Sequence, residues 1–360
     1  MALIATTRPG VYSQYELSSV LHMGSRDKAV AIVGIAASGT PKQAVKISRM
    51  ADVVAAFGTD TGNASLCTMA QMLLANGCAN IVAVPAAVGS SAVAQASDYT
   101  AALAVLDSMD AIGVIVSDNS SLEYLNVLKQ YVVNASDNKR ECIGFAGFAA
   151  GTTVDNMIAA ASALNCERMV LVAGNPVDTD GTVQHGRLLA CALAAQCALL
   201  DDPARMLSGS AAEGIAALNT RYSEEEIDDL IQGGVSPYEL RAGKAQLIRA
   251  VTTRTKTQGV ADSTLRELST ILVIDDVLVS LRDTLSASLS IARNNARSMN
   301  AIKTQAAIIL ERKKAAELID SYSVPNVYAD ADDPTTLVVE VGFAICSGIN
   351  QILVSANVLV

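Results

Sequence analysis

Gly34-Ile35-Ala36-Ala37-Ser38-Gly39 follows the first apolar strand, where a dinucleotide or phosphate loop would sit. It lacks the GxGxxG spacing, and no acidic residue closes a second strand about twenty positions on. Gly243-Lys244 has Tyr238 where a P-loop places its first glycine and Ala245 where it needs Ser or Thr. Both read as ordinary turns. A serine hydrolase would need an Asp, a His and a Ser near strand ends; Asp118, His185 and Ser210 are the candidates. Neither His-Gly-Thr nor Gly-Thr-Ser-Met occurs, and His22 and His185 are the only histidines. The acids of Ser223–Asp229 (Glu224, Glu225, Glu226, Asp228, Asp229) read as the solvated first turns of a helix capped by Ser223 rather than as a cation site. The seven cysteines (67, 78, 142, 166, 191, 197, 346) are scattered, odd in number and mostly within apolar segments. They are expected to be reduced core thiols in a reducing compartment. Nothing here assembles into catalysis, a metal centre or a cofactor site.

The elements that would position such groups alternate regularly. Apolar strands are expected at 29–36, 44–47, 81–86, 111–117, 142–149 and 168–173. Helices are expected at 49–57, 64–75, 98–108, 121–134, 153–164 and 183–199. Strands that are continuously apolar rather than alternating imply a mostly parallel sheet covered by helices on both faces, an α/β domain. At 360 residues, with 51% hydrophobic and 4% aromatic residues, the chain can fill such a core with Ala, Val, Ile and Leu. No apolar run reaches the length of a membrane span and the first residues lack a signal-peptide core, so a soluble cytoplasmic product is expected.

The pattern changes at Ile231–Lys256. Gly233-Gly234 and Pro237 predict a turn, and Gln246–Thr255 a strand. Beyond it, 264–289 and 299–320 predict two long amphipathic helices. Leu265, Leu268, Leu272, Leu278, Leu281, Leu285 and Leu289 line the first, with Asp275 and Asp276 interrupting that face. The second presents Met299, Ile302, Ala306, Ile309, Ala316 and Ile319 on one side, and Lys303, Arg312, Lys313 and Lys314 on the other. Thr336–Cys346 and Ile349–Val360 alternate as strands. Arg241–Lys314 carries 13 Lys and Arg against 6 Asp and Glu, whereas the rest carries 13 against 30. With a net charge of −10 and no aromatic interleaving, the basic face suits an acidic protein surface better than nucleic acid.

Gly-Gly-Val, a short turn, and Leu247-Ile-Arg-Ala-Val-Thr-Thr253 leading into a long helix resemble the C-terminal part of contractile tail sheath proteins, from contractile phages and phage-tail-like bacteriocin particles. Arg8-Pro9-Gly10-Val11-Tyr12 matches the family's N-terminal arm. The resemblance implies a subtilisin-like α/β outer domain (28–235), an α+β inner domain (236–346), an N-terminal arm and linker (1–27) and a C-terminal arm strand (347–360). It implies that the arm residues Val11, Tyr12, Ser13, Gln14, Tyr15 and Glu16 enter β-sheets of neighbouring subunits. Ile349, Gln351, Ile352, Leu353, Val354, Ser355, Ala356, Val358 and Val360 would do the same from the other end. Lys303, Arg312, Lys313 and Lys314 would face an inner tube. The implied partners are further copies in stacked hexameric rings, the tube protein, and baseplate and terminator proteins, with no cofactor, nucleic acid or membrane contact. The product would assemble in the bacterial cytoplasm as a structural polymer, not an enzyme, and reside in the tail of the released particle. The competing expectation is an α/β nucleotide-binding protein or hydrolase without a recognisable motif.

Overall fold

The computed structural model describes residues 28–109, 111–286, 293–331 and 335–350. Its centre is an eight-stranded sheet of β1 (Ala29–Ala36), β2 (Val45–Ile47), β3 (Ile81–Val88), β4 (Ile112–Ser117), β5 (Ile143–Gly147), β6 (Met169–Ala173), β7 (Val235–Arg241) and β8 (Lys244–Leu247). The order is β2-β3-β1-β4-β5-β6-β7-β8. Strands β3 through β7 pair in parallel, and β2 and β8 close the two edges antiparallel. The α/β expectation is met.

Each central strand divides its side chains by period two between two cores. Val30, Ile32, Val114, Val116, Phe145 and Val172 face one core, where α1 (Met50–Phe57), α2 (Leu66–Ala75) and α6 (Arg187–Ala198) pack. Ala31, Val33, Val84, Ile115, Ala146 and Leu171 face the other, beneath α3 (Ala96–Val105), α4 (Leu122–Asp137) and α5 (Val154–Leu164). Helix α6 is built from Ala, Leu and Cys, and Leu189–Ala195 is fully buried. Its start approaches the sheet so closely that a Cβ on Gly147 would lie 2.1 Å from the Gly186 carbonyl. Six cysteines are buried as expected; Cys346 is exposed.

The sheet runs past residue 235. Pro237 sits inside β7 opposite Ala173, not in a turn. The Pro237 carbonyl accepts from the Ile248 N–H at 2.9 Å, one step beyond the Tyr238–Leu247 pair, so the ring costs only the return bond at the very end of the β7–β8 ladder. The turn is Ala242-Gly243, with φ of 48° and 74°, the two left-handed residues of a tight hairpin whose twist matches its strands. Of the strand expected at 246–255, only its start belongs to β8. The rest leaves the ladder because side chains take over its hydrogen bonds. Val251 N–H donates to Ser236 Oγ (2.9 Å), and Thr253 exchanges hydroxyl bonds with the Cys166 backbone (2.9 and 3.0 Å).

After α7 (Glu224–Gln232) and the short hairpin of β9 (Lys256–Thr257) and β10 (Val260–Ala261), the chain forms α8 (Leu268–Ser286) and α9 (Ala296–Ala315). Helix α8 joins two cores. Leu268, Ile271 and Leu272 extend the α6 side, while Val273, Val277 and Leu281 meet Ala306, Ile309 and Leu310 of α9. Helix α9 ends earlier than its periodicity suggests, because Glu317 takes a φ of 58° and Ile319 turns into a strand. That strand begins a bent antiparallel ribbon: β11 (Ile319–Tyr322) pairs β14 (Phe343–Ile345), and β12 (Asn326–Ala329) pairs β13 (Leu337–Glu340). The strand expected over Thr336–Cys346 is therefore two, broken at Val341-Gly342, where Gly342 O accepts from the Ser323 N–H at 2.8 Å. Residues 11–16 and 351–360, the arm candidates, lie outside the described residues; Ile349, inside them, is 77% exposed and not in a strand.

Candidate functional site

The strand order reverses between β1 and β4, and open α/β sheets bind their ligands in the crevice beyond the carboxyl ends of such strands. Here that crevice is filled. Asp118, just past β4, is 6% exposed and takes the Ile35 N–H (3.0 Å) and the Ser65 hydroxyl (2.6 Å) on Oδ2, and the Tyr99 hydroxyl on Oδ1. Burial and the adjacent carboxylate push the Tyr99 hydroxyl far above the usual tyrosine range, so it stays a donor. A Cβ on Gly34 would fall 2.7 Å from that carboxyl group. The glycine of the supposed phosphate loop thus serves the approach of Asp118, not of a phosphate. Gly243-Lys244 is the β7–β8 turn, and Lys244 pairs with Glu213 at 3.0 Å.

The three triad candidates have separate partners. The Ser210 hydroxyl lies between two acceptors, Gln196 Oε1 at 2.9 Å and the Leu207 carbonyl at 2.5 Å, which compete for its one proton. His185 Nδ1 accepts the Arg187 backbone N–H at 3.1 Å, and burial, reinforced by the Arg187 charge, lowers its pKa to about 4. The folded state therefore resists a proton that the unfolded chain takes near the ordinary histidine value of 6.5, and stability is lost as pH falls from about 6.5 through about 4. Replacing His185 by Asn, which keeps a short acceptor, should flatten that acid-side loss by on the order of 2–3 kcal/mol. Urea titrations at pH 7.5, 5 and 4 measure it; equal pH slopes in both proteins would refute the assignment. The acidic first turn of α7 is a reciprocal capping box, Glu226 N–H to Ser223 Oγ (3.3 Å) and Ser223 N–H to Glu226 Oε2 (2.7 Å). Among the described residues no group of His, Cys, Asp and Glu could hold a metal ion.

The charged groups of the helical layer are arranged differently. Arg168, immediately before β6, forks onto Asp275 of α8 through two bonds of 2.8 and 2.7 Å, with side chains 9% and 5% exposed. Arg282 pairs with Glu141, and Lys313 of α9 with Asp276 of α8. The acidic pair that interrupts the α8 face thus ties that helix to the sheet on one side and to α9 on the other. Lys313 is committed within the chain, at 18% side-chain exposure, while Arg312 and Lys314 are exposed and Lys303 is half-buried. Sequence reasoning did not find the Arg168–Asp275 pair; the usable signal was an acid on an apolar helix face, which demands a buried partner.

Among the described residues, the ribbon of β11–β14 pairs with no third strand, and Val324 (73% exposed) and Tyr328 (41%) stand on its surface. Such edges template the addition of a strand from another chain.

Solved structures share this fold over nearly the whole chain. The sheath tail protein of Desulfitobacterium hafniense aligns at a TM-score of 0.70 and 13% identity, over 93% of this chain and 100% of that one. The helical sheath of the anti-feeding prophage in its contracted state gives 0.72 and 13%, over 98% and 99%. The contracted sheath of the PVC extracellular contractile injection system gives 0.69 and 13%, over 99% and 98%. At this identity the likeness establishes fold. In sequence, residues 92–253 match the family model of the phage tail sheath protein central domain. The chain resembles contractile tail sheath proteins in fold throughout and in sequence over residues 92–253.

The sheath match runs from just before α3 through Thr253, so it covers the sheet from β4 to β8 and the crossing that locks β6 to β7. Helices α8 and α9 and the ribbon lie beyond it, within the span of the structural likeness to sheath proteins. A search of curated proteins finds no match to the sequence. The family is one of structural sheath proteins, components of phage or phage-tail-like particles, and no helix among the described residues is long and apolar enough to cross a membrane.

Proposed function

We propose that this chain polymerises as stacked hexameric rings into a helical sheath around an inner tube, and that contraction of the sheath drives the tube through a target envelope. The observation that carries the reading is the open-edged ribbon on a sheath fold: a two-stranded β-element is marginal alone and gains most by accepting further strands. The arms at 1–27 and 347–360 are the strands offered to neighbours, with Val11–Glu16 and Ile349–Val360 pairing there. The α/β unit lies outward, and the α8–α9 layer lies inward with Lys303, Arg312 and Lys314 towards the tube. Lys313 supports that face from behind through Asp276. Baseplate and terminator proteins bound the polymer, which assembles in the bacterial cytoplasm and leaves in the released particle. The protein works without catalysis; the filled crevice around Asp118 supports this, since substrate would have to displace three hydrogen bonds.

Electron microscopy of the purified chain, alone and with its tube protein, tests the reading. Cylinders are expected, and a species that stays monomeric at all concentrations with tube protein present would defeat it. Reversing Arg312 and Lys314, which are exposed, to Glu should abolish assembly on the tube without lowering the unfolding midpoint, and adding Lys303→Glu at its half-buried site should deepen the loss of assembly. Lys313→Glu should instead lower stability by about 1 kcal/mol or more, by opposing Asp276. Unchanged assembly of the triple variant at low and physiological salt would remove the tube-facing assignment.

A further inference from the structure

Between the 249–252 crossing, the start of α8 and the end of the ribbon lies a cleft of about 260 Å³. Arg249, Arg266, Ser269, Thr270, Cys346 and Asn350 are among its walls. Arg249 pairs with Glu267, which also lines the cleft. Arg266 has no side-chain hydrogen bond or ion pair among the described residues. Two guanidinium groups therefore face one carboxylate, leaving one positive charge uncompensated. The Nε atoms of both arginines and Glu267 Oε2 are buried without a hydrogen-bond partner. Unpartnered buried polar atoms are costly, and three of them around one polar cleft is the arrangement expected of a site that a ligand completes.

We propose that this cleft is an oxyanion site that takes a single carboxylate, with Arg266 as its fork and the Thr270 hydroxyl and Asn350 amide as neutral neighbours. A guanidinium presents paired N–H groups that match a carboxylate in two parallel bonds. One negative charge balances the cleft, and a small carboxylate fits its volume. The carboxylate comes either free from solution or from an acidic side chain of a second copy; the chain's 36 Asp and Glu make such a group abundant on any neighbour. The site rests on Arg266 and does not involve the tube, while Asn350 belongs to the C-terminal arm.

Cys346 supplies a local reporter, since it is exposed in the cleft wall while the other six thiols are buried. The test measures alkylation of Cys346 by neutral iodoacetamide in the full-length chain, with acetate or chloride at equal ionic strength and over a range of chain concentrations. Slower alkylation in acetate identifies the free carboxylate. Slower alkylation with rising chain concentration, relieved by added acetate, identifies a second copy. In Arg266→Gln either protection should be lost, with apparent acetate affinity weakened about tenfold or more, while Arg266→Lys retains part of it. An unfolding midpoint for Arg266→Gln equal to wild type shows that the loss is local. Alkylation that ignores both acetate and chain concentration, or protection that persists in Arg266→Gln, overturns the proposal.

Discussion

Asp275→Asn is expected to destabilise the unassembled protein by about 3–5 kcal/mol, the cost of stranding one partner of a buried ion pair. The replacement preserves shape and removes only the charge, so the loss measures what Arg168 suffers when its guanidinium is left in the interior. Both side chains are under 10% exposed and joined by two bonds shorter than 3 Å, so water does not take the place of either partner. The pair also bridges the amino end of β6 to the middle of α8, so its failure loosens the helical layer from the sheet. The double change Arg168→Met with Asp275→Leu should recover most of the loss, because well-packed apolar replacements of a buried pair are often neutral or stabilising. Urea unfolding below the polymerisation threshold measures all three variants. A cost under about 1 kcal/mol for Asp275→Asn would mean that the pair is solvated and does not hold the layers together.

Deleting residues 351–360 should leave a folded, soluble chain that no longer forms cylinders. The ribbon keeps its own internal pairing (Asn326 to Glu340, Val327 to Val339, Ile319 to Ile345), and Val339, Val341, Phe343 and Ile345 still pack on α8 and α9. The fold therefore does not need residues beyond Asn350, whereas a polymer built by strand exchange does. Removing residues 1–27 should have the same effect, since the described sheet begins at Ala29 with its partners complete. Sedimentation with circular dichroism separates the outcomes. Cylinders from either truncated chain would end the strand-exchange account of that arm, and an unfolded truncated chain would place the segment within its own subunit.

Local physics made much of this protein legible from its sequence. Ala29–Ala36 and Ile81–Val88 are apolar at every step, which forces a strand covered on both faces. The capping box at Ser223 and Glu226 marks a helix start wherever it occurs. The family resemblance rested on a short run around Leu247–Thr253 that the fold uses to cross from sheet to helical layer. Tertiary structure decided the rest, because the deciding partners are far apart in the chain and neither carries a mark of the other. Asp275 looked like a flaw in an apolar helix until Arg168, 107 residues earlier, lay beside it. Gly34 looked like a phosphate loop until Asp118 came within 3 Å of its missing side chain. Pro237 looked like a turn because proline lacks one donor, and only its place in the sheet shows that this donor is missed at a single bond, where the β7–β8 ladder ends. Lys313 and Lys314 are neighbours of the same charge, yet one is spent on Asp276 and the other faces outward, a division set by the rotation of α9 against α8 that composition alone does not carry.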